Sequence, residues 1–325
     1  MALNLRSILK GHPNIRLCPP ASGPESDFGI SQDDLVPAED AQVVEGEEFA
    51  LYDVQDPRHS GFTHFLDGAQ RHWRAAYLGV LPIRLAHTSA ALLERKERVL
   101  GAPTDQTYSG SLDCFVPDGD PDLLFKLREA GFKVRHISAL EDESALAIQL
   151  KIQKKIEDRR KEHELELAAR FTDGCLLVDG GIGEVLPLLV DGAFVVGLVK
   201  SHQKQYFKSA ERHQIMLAMK AGQRTSVFLR KGTERQGKNA YSFYIKLRDG
   251  EYEPPMFGLA RIEMPEESRY LEMADEIAGW VLHERCPLSL PDRRFDVLLY
   301  PIHLVEEHLK ARQPSQSAIR GLIGL

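Results

Sequence analysis

The stretch LELAARFTDGCLLVDGG, residues 165–181, joins the end of a long predicted helix to an apolar strand. The helix is predicted over residues 141–169, from its acidic opening and its apolar periodicity. The short loop 171–174 leads into CLLVDG, which is typical of a buried strand, and GAFVVGLVK, residues 192–200, predicts a further strand. Helices that alternate with strands favour an α/β domain.

Upstream of this stretch the pattern changes to strands. A short strand is predicted over residues 61–66, ending at Asp67, and residues 75–91 predict one or two more. Residues 92–100 predict a helix, and residues 101–140 are rich in turns. A meander of strands followed by alternating helices and strands predicts an α/β fold with a mixed sheet flanked by helices.

Downstream, the same signals predict a regular series of elements. Helices are predicted over residues 201–220, 267–284 and 301–312, and strands over 224–229, 240–247, 256–264 and 295–300. Further short helices are predicted at 3–10 and 121–130. We therefore divide the chain into an N-terminal helix with an acidic extended lead-in, residues 1–58, and a main domain, residues 59–325, with an insertion at about 101–140.

Composition excludes several classes of protein. The chain has 325 residues, a net charge of −7 and 43% hydrophobic residues, as expected of a globular protein with a sizeable core. Its most apolar stretch, 175–199, is interrupted by Asp179, Glu184 and Asp191, so a membrane span is not expected. The N-terminus lacks a secretory signal pattern, and the four cysteines form no CxxC pair, which favours a reducing cytoplasm.

The common catalytic motifs are absent from the sequence. There is no GxxxxGK[ST] loop, no GxGxxG after a strand, no GxSxG and no HExxH, so the sequence predicts neither a P-loop ATPase nor a zincin. Glu94 and Lys96 form half of a PD-(D/E)xK nuclease signature. Because residues 92–100 predict a helix, on which Glu-x-Lys is common, this nuclease type is kept as an alternative only.

Two Asp-Gly pairs stand out by their position. Asp67-Gly68 and Asp179-Gly180 each follow an apolar strand directly, whereas Asp-Gly on its own is a common hairpin turn. Carboxylates at neighbouring strand ends can bind a pair of divalent cations about 3.5–4 Å apart, as phosphodiester cleavage requires. Their oxygen ligands favour Mg²⁺ or Mn²⁺.

A third carboxylate and two further side chains complete the predicted site. The helix before the second strand carries Glu162, Glu164 and Glu166, any one of which could approach Asp179. Near the C-terminus, Tyr300 ends a predicted strand and His308 lies two turns into the following helix. A tyrosine and a histidine at this place could contact phosphate or ligate a metal, although most such residues are structural.

Taken in order, these motifs resemble those of the NurA nuclease family. The matching stretches are FLDGAQ at 65–70, LELAARFTDGCLLVDGG at 165–181, VVGLVKSHQKQYF at 195–207 and LLYPIHLVEEHLKAR at 298–312. The resemblance implies an RNase H-like fold, related to the PIWI fold. It also implies a manganese-dependent nuclease with 5′-to-3′ exonuclease and single-strand endonuclease activity, which works as a homodimer with a hexameric HerA-type ATPase in the processing of DNA ends.

Carried onto this chain, the resemblance implies a site of Asp67, Asp179 and a helix glutamate, completed by Tyr300 and His308. Glu164 is the preferred glutamate, followed by Glu166 and then Glu162. The expected metal ligands are Asp67, Glu164, Asp179 and His308, which would bind two Mn²⁺ or Mg²⁺ ions. Lys200 and Tyr300 are expected to bind substrate.

The sequence departs from the family at one position in these motifs. The family usually has serine after the first Asp-Gly, and this chain has Ala69, which removes a hydroxyl but no carboxylate. An inactive adaptor that docks on a translocase ring is the alternative function. The two strand-end aspartates, Tyr300 and His308 favour the enzyme, because an adaptor has no need of them.

Overall fold

A mixed sheet of fourteen strands runs through the described part of the chain. The computed structural model describes residues 4–10, 12–13, 15–17, 40–55, 57–97, 99–102, 107–117, 120–139, 143–190, 192–201, 206–232, 237–250, 253, 255–289, 292 and 294–324. The predicted α/β fold with a mixed sheet flanked by helices is thereby confirmed.

The strands and helices have the following bounds. The strands are β1 (Ile15–Leu17), β2 (Gln42–Val43), β3 (Leu51–Asp53), β4 (His64–Leu78), β5 (Leu81–Lys96), β6 (Val99–Gly101), β7 (Tyr108–Pro117), β8 (Lys133–Ile137), β9 (Cys175–Asp179), β10 (Phe194–Val199), β11 (Gln223–Thr225), β12 (Phe228–Arg230), β13 (Ala240–Lys246) and β14 (Leu259–Met264). The helices are α1 (Leu5–Leu9), α2 (Pro121–Glu129), α3 (Ala145–Ala168), α4 (Ala210–Leu217), α5 (Ser268–Glu272), α6 (Ala274–His283), α7 (Tyr300–Ala311) and α8 (Gln316–Ile323).

The centre of the sheet combines a meander with two parallel strands. Strands β4, β5 and β7 pair antiparallel in sequence order, and α3 then leads the chain to the far side of β4. There β9 pairs parallel with β4, and β10 pairs parallel with β9. The order across the sheet is β8-β7-β5-β4-β9-β10-β14-β13-β12-β2, so the first strand of the meander, β4, lies between β5 and β9.

Each face of this central part is covered by helices. Alternate residues of a strand point to opposite faces, and Leu66 packs with Leu167 of α3 while its neighbour Phe65 packs with α6 and α7. Helix α3 begins after Ser144, whose Oγ accepts a hydrogen bond from the Ala147 N–H, as an N-cap residue does. The sheet is therefore buried on both faces around β4 and β9.

Three local predictions near the candidate site were wrong. Within the helix predicted over residues 92–100, residues 92–96 and 99–100 are strand, in β5 and β6, because Leu92 and Leu93 are buried on a sheet that the local pattern does not reveal. Asp67 lies inside the fifteen-residue strand β4 rather than at a strand end. The strand predicted over 295–300 is a turn with one bridge, Arg285 to Leu299, and Tyr300 is the first residue of α7.

Other predictions hold in part or in full. The predicted helices at 3–10, 121–130 and 141–169 are confirmed as α1, α2 and α3. Only Ala210–Leu217 of the predicted helix 201–220 is helical, and the predicted helix 267–284 is divided at Met273 into α5 and α6. Helix α8 carried no sequence prediction.

The N-terminal lead-in contributes to the sheet where it is described. Strands β2 and β3 pair with β12 and β11, and β1 pairs with β4. Most of the acidic segment 25–48 lies outside the described residues, which resume at Asp40. In the region predicted as an insertion, residues 107–139 form β7, α2 and β8, which extend the sheet beyond β5.

Membrane insertion is not indicated by any helix in the described ranges, since none of them combines the length and the apolar character that crossing a bilayer requires.

The packing of α3 on the sheet generates a stability prediction. Ile152 is fully buried in a cluster with Ala86 and Phe115 of the sheet, whereas Leu146, one and a half turns earlier in the same helix, is 64% exposed. Replacing Ile152 by Ala should lower the free energy of unfolding by about 2–5 kcal/mol. Leu146→Ala should change it by less than about 0.5 kcal/mol, because it removes an exposed side chain. Urea denaturation followed by circular dichroism measures both, and equal effects would contradict this packing.

Candidate metal centre

Asp67 and Asp179 are brought together by the parallel pairing of β4 with β9. The ladder runs from His64 opposite Leu176 to Leu66 opposite Val178, and β9 ends one residue later at Asp179. The next residue of β4 is Asp67. Carboxylate oxygens of Asp67, Asp179 and Glu306 all lie within 4.8 Å of one another, so three elements contribute to one cluster.

Glu306 enters this cluster from α7 and was not predicted from the sequence. Helix α7 packs across β4 and β5 through Ile302, Val305 and Leu309, which are fully buried. Glu306 is four residues after Ile302, so it lies beside this buried stripe, and its side chain is only 13% exposed. A carboxylate at the edge of an apolar stripe is the signal that could have identified it.

Glu164 approaches the same region from the opposite face of the sheet. Gly68 makes this possible, because a Cβ atom there would overlap Glu164 Oε1 and lie only 3.0 Å from Arg160 Cγ. Arg160, one turn earlier on α3, forms an ion pair with Glu164. The glycine of the first Asp-Gly pair thus lets α3 lie close to β4.

The three helix glutamates differ sharply in their surroundings. Glu164 is 12% exposed, whereas Glu162 is 55% exposed beside Arg159, and Glu166 is 48% exposed beside Arg170. Only Glu164 is near enough to the aspartates for its charge to affect the pKa of Asp67. Among the described residues, Glu164 belongs to neither group of three potential ligands whose atoms lie within 4.8 Å of one another. It therefore lies next to the cluster of Asp67, Asp179 and Glu306 and is not part of it.

The second Asp-Gly pair depends on its glycine for a different reason. Gly180 has a φ of +130°, a conformation that L side chains rarely adopt, and its N–H donates to the Leu198 carbonyl. Gly197 on β10 leaves room for this turn, because a Cβ there would lie 2.5 Å from the Gly180 carbonyl oxygen. Lys200, just past the end of β10, then reaches Asp179 with Nζ 2.9 Å from Oδ2.

A buried ion network holds the loop that follows Asp179. Glu263 of β14 accepts a hydrogen bond from the Ile182 N–H at 3.0 Å. Its other oxygen lies 2.9 Å from Arg230 Nε and 2.6 Å from an Arg261 nitrogen. Although burial opposes ionisation, Arg261 and Arg230 lower the pKa of Glu263, so it remains a carboxylate. The loop is therefore anchored to the neighbouring strand rather than free to move away.

The surroundings of Asp67 oppose the ionisation of its carboxyl group. Burial and the nearby Asp179 carboxylate raise the pKa of Asp67 well above its ordinary value, and Lys200 offsets only part of this effect. Burial also raises the pKa of Glu164, against the opposing charge of Arg160. A bound divalent cation would reverse these effects by stabilising the ionised carboxylates.

The other predicted site residues lie on α7. Tyr300, in its first turn, is 43% exposed, and its ring is stacked on His303 at 6.4 Å between centroids. His308 is half-buried, with its Nδ1 3.2 Å from an Arg312 nitrogen, and burial lowers its pKa. Neither residue belongs to a three-ligand cluster among the described residues.

The two residues of the PD-(D/E)xK alternative, Glu94 and Lys96, lie on the opposite face of the sheet from Asp67. Glu94 and Lys96 lie on β5, where Lys96 Nζ is 3.2 Å from Glu94 Oε2. Asp67 is opposite Ala91 on the neighbouring strand. Since alternate residues face opposite sides, Glu94 and Lys96 point away from the face that Ala91 shares with Asp67.

All three ligands of the cluster are carboxylates, supplied by β4, β9 and α7. Oxygen-only ligand sets suit Mg²⁺ and Mn²⁺ rather than thiolate-preferring metals. The raised pKa of the buried Asp67 is a second indication that the site fits a cation, because the cluster as it stands places like charges together without a compensating ion pair at Asp67. Comparison of the sequence with protein-family models and with curated proteins gave no match.

The raised pKa of Asp67 predicts how the stability of the fold depends on pH. A carboxyl whose pKa is higher in the folded state than its unfolded value of about 3.9 stabilises the fold most at low pH, and that contribution is lost as the pH rises through the folded pKa. In EDTA, Asp67→Asn should therefore become increasingly stable relative to the wild type as the pH rises from 4 to neutrality. Thermal denaturation across this range measures the difference.

Asp173→Asn is the matched control for this experiment. Asp173 also precedes a glycine and accepts the hydrogen bond of that glycine N–H, at 2.8 Å compared with 2.7 Å for Asp67, but it is exposed. Its replacement should show no such pH-dependent gain. Added Mn²⁺ should stabilise the wild type and leave Asp67→Asn almost unchanged, since a ligand that binds only the native state raises its stability. If the stability of the two variants changed with pH in the same way, the raised pKa of Asp67 would be contradicted.

Proposed function

We propose that this protein is a divalent-metal-dependent DNA nuclease. The observation that carries the proposal is the convergence of Asp67, Asp179 and Glu306, from three different elements, to within 4.8 Å at the point where β9 ends beside β4. Asp179 and Glu306 pair with Lys200 and Arg294, whereas Asp67 is buried and has no ion-pair partner within the described ranges. The motif order that resembles the NurA family adds the substrate class, DNA.

In this proposal the chain supplies the ligands and holds them in place. Asp67, Asp179 and Glu306 would hold Mn²⁺ or Mg²⁺, and Glu164 would ligate from the other side or orient a bound water. A bound divalent cation lowers the pKa of the attacking water and stabilises the leaving oxygen. Lys200, 2.9 Å from Asp179, places a positive charge where the phosphodiester would lie.

The order of the central strands supports an RNase H-like fold. An antiparallel meander, a helix and two parallel strands, with the first strand in the middle, is the arrangement that RNase H-like domains share. Here β4, β5 and β7 form the meander, and β9 and β10 follow α3 on the other side of β4. The aspartates on β4 and β9 are then on the two adjacent central strands.

Tyr300 and His308 are proposed to act on the substrate beside the metal. Tyr300 is partly exposed at the start of the helix that supplies Glu306, so its hydroxyl is available to a phosphate. The Nε2 of His308 is buried and has no hydrogen-bond partner among the described residues. Its ring is unprotonated at neutral pH, because burial lowers its pKa. A neutral imidazole can accept a hydrogen bond or ligate a metal.

The assembly and location of the protein are proposed from the resemblance. We propose a homodimer that works with a HerA-type hexameric ATPase, because a nuclease with no nucleotide-binding loop of its own needs a motor to traverse long duplexes. A cytoplasmic location agrees with the three described cysteines, Cys114, Cys175 and Cys286, which are buried and free.

Cleavage of end-labelled DNA tests the proposed activity. Single- and double-stranded substrates should be degraded with Mn²⁺, more slowly with Mg²⁺, and not at all with EDTA. A 5′-to-3′ exonuclease should release a 5′ label in the first product and leave a ladder of shortened fragments on a 3′-labelled strand. Metal-independent cleavage, or no cleavage of any DNA with either metal, would overturn the proposal. The absence of both cleavage and metal binding would support the inactive adaptor.

Variants assign the activity to the cluster. Asp67→Asn, Asp179→Asn and Glu306→Gln should each reduce cleavage to background. Glu162→Gln is the control for the loss of one carboxylate. Because Glu162 is exposed, this variant should cleave DNA at the wild-type rate. His308→Ala and Tyr300→Phe should lower the cleavage rate with little change in melting temperature; wild-type rates for both would make them structural residues.

Degradation of long duplexes tests the need for a motor. The protein alone should digest short or single-stranded DNA without ATP, since its sequence contains no P-loop. Processive degradation of a long duplex should require both ATP and a HerA-type ATPase. Degradation of long duplexes by this chain alone, at the same rate with and without ATP, would contradict the division of labour.

A further inference from the structure

A second set of potential metal ligands lies next to the first. One ligand atom each from Asp292, His303 and Glu306 lies within 4.8 Å of the other two. Glu306 is therefore shared with the cluster that contains Asp67 and Asp179. Helix α7 makes this sharing possible, because residues three apart on a helix lie on the same face and His303 precedes Glu306 by three.

His303 has an unused nitrogen at this position. Its Nδ1 is buried and has no hydrogen-bond partner among the described residues. Its ring is held by stacking against Tyr300, with 28° between the ring planes. A buried ring nitrogen without a partner is costly, whereas coordination of a metal would satisfy it.

A positive charge already occupies the neighbourhood of these carboxylates. A guanidinium nitrogen of Arg294 lies 2.9 and 2.7 Å from the two oxygens of Glu306, and Arg294 Nε lies 3.5 Å from Asp292 Oδ1. The backbone N–H of Arg294 also donates to Asp292 Oδ1, at 2.8 Å. The Arg294 side chain is 49% exposed, so it can leave this position for solvent. The arrangement attracts a cation, and the guanidinium and a metal ion are alternative occupants.

The charge balance leaves room for further cations. The two clusters contain four carboxylates, Asp67, Asp179, Asp292 and Glu306, and the cations within 4.0 Å of them are Lys200, Arg294 and Lys310. Lys310 lies closer to Glu307, at 2.7 Å, and so offsets little of the charge on Glu306. The excess is therefore between one and two negative charges, which one divalent ion neutralises. A second becomes favourable when Arg294 moves away or when a phosphodiester brings its own negative charge.

We propose that Asp292, His303 and Glu306 form a second divalent-cation site, joined to the first through Glu306. The inference rests on the proposed nuclease function and deepens it, since it assigns the second ion of a two-metal centre to residues that the sequence analysis did not select. An imidazole among carboxylates suits first-row transition metals, whereas Mg²⁺ takes oxygen ligands. This site therefore accounts for a preference for Mn²⁺ over Mg²⁺.

Binding of Mn²⁺ to the metal-free full chain tests the proposal without any cleavage assay. Titration calorimetry and the electron paramagnetic resonance signal of free Mn²⁺ should give two ions per chain for the wild type. His303→Ala and Asp292→Asn should each remove one ion and keep the other. Arg294→Ala should tighten the weaker site about tenfold, because a charge-assisted competitor is removed. Circular dichroism of each variant verifies that it is folded.

Glu307→Gln is the matched control. Glu307 is the neighbour of Glu306, is 52% exposed and pairs with Lys310, so its replacement should leave both ions bound. A single ion in the wild type, or two ions with unchanged affinities in both His303→Ala and Asp292→Asn, would overturn the second site and leave the proposed nuclease intact. Two ions that depend on His303 and Asp292, without any cleavage of DNA, would support the second site and refute the nuclease.

Discussion

Everything at the candidate centre depends on how far β9 runs beside β4. The two strands pair over three residues, and β9 ends at Asp179 while β4 continues for eleven residues beyond Asp67. Because β9 stops there, space opens beside β4 that side chains from both covering helices can enter. Glu164 enters it from α3 and Glu306 from α7.

The surrounding structure stabilises this concentration of negative charge through cations that come from other elements. Lys200, Arg160 and Arg294 pair with Asp179, Glu164 and Glu306, respectively. Asp67 has no such partner among the described residues, and burial together with Asp179 raises its pKa, so its ionisation costs stability. The buried Glu263 network fixes the loop after Asp179, so the acids cannot relax apart.

The two Asp-Gly pairs show how one dipeptide can serve two purposes. Gly180 adopts a backbone conformation that other residues avoid. Gly68 lies in a regular strand, and its missing side chain leaves the space that Glu164 of α3 occupies. Neither pair forms the two-residue hairpin turn for which Asp-Gly is best known. Both glycines are explained by the sheet. At Gly68 the strand lies close to α3, and at Gly180 the chain turns out of β9, and both places are next to the aspartates.

The sequence by itself determined the α/β class, the long helix α3, and the strands β9 and β10, because periodicity is a local signal. It also selected Asp67, Asp179 and three neighbouring helix glutamates as candidates, but the choice of Glu164 among the three came from the family resemblance. Only the tertiary structure decided that residues 92–96 are strand, that Asp67 lies within one, and that Glu306 joins the aspartates. Sheet pairing at long range overrides local helical preference. The apolar stripe of α7 indicates which face of the helix is buried. The strand that this face meets is set by packing between segments more than two hundred residues apart, and no local pattern contains that information.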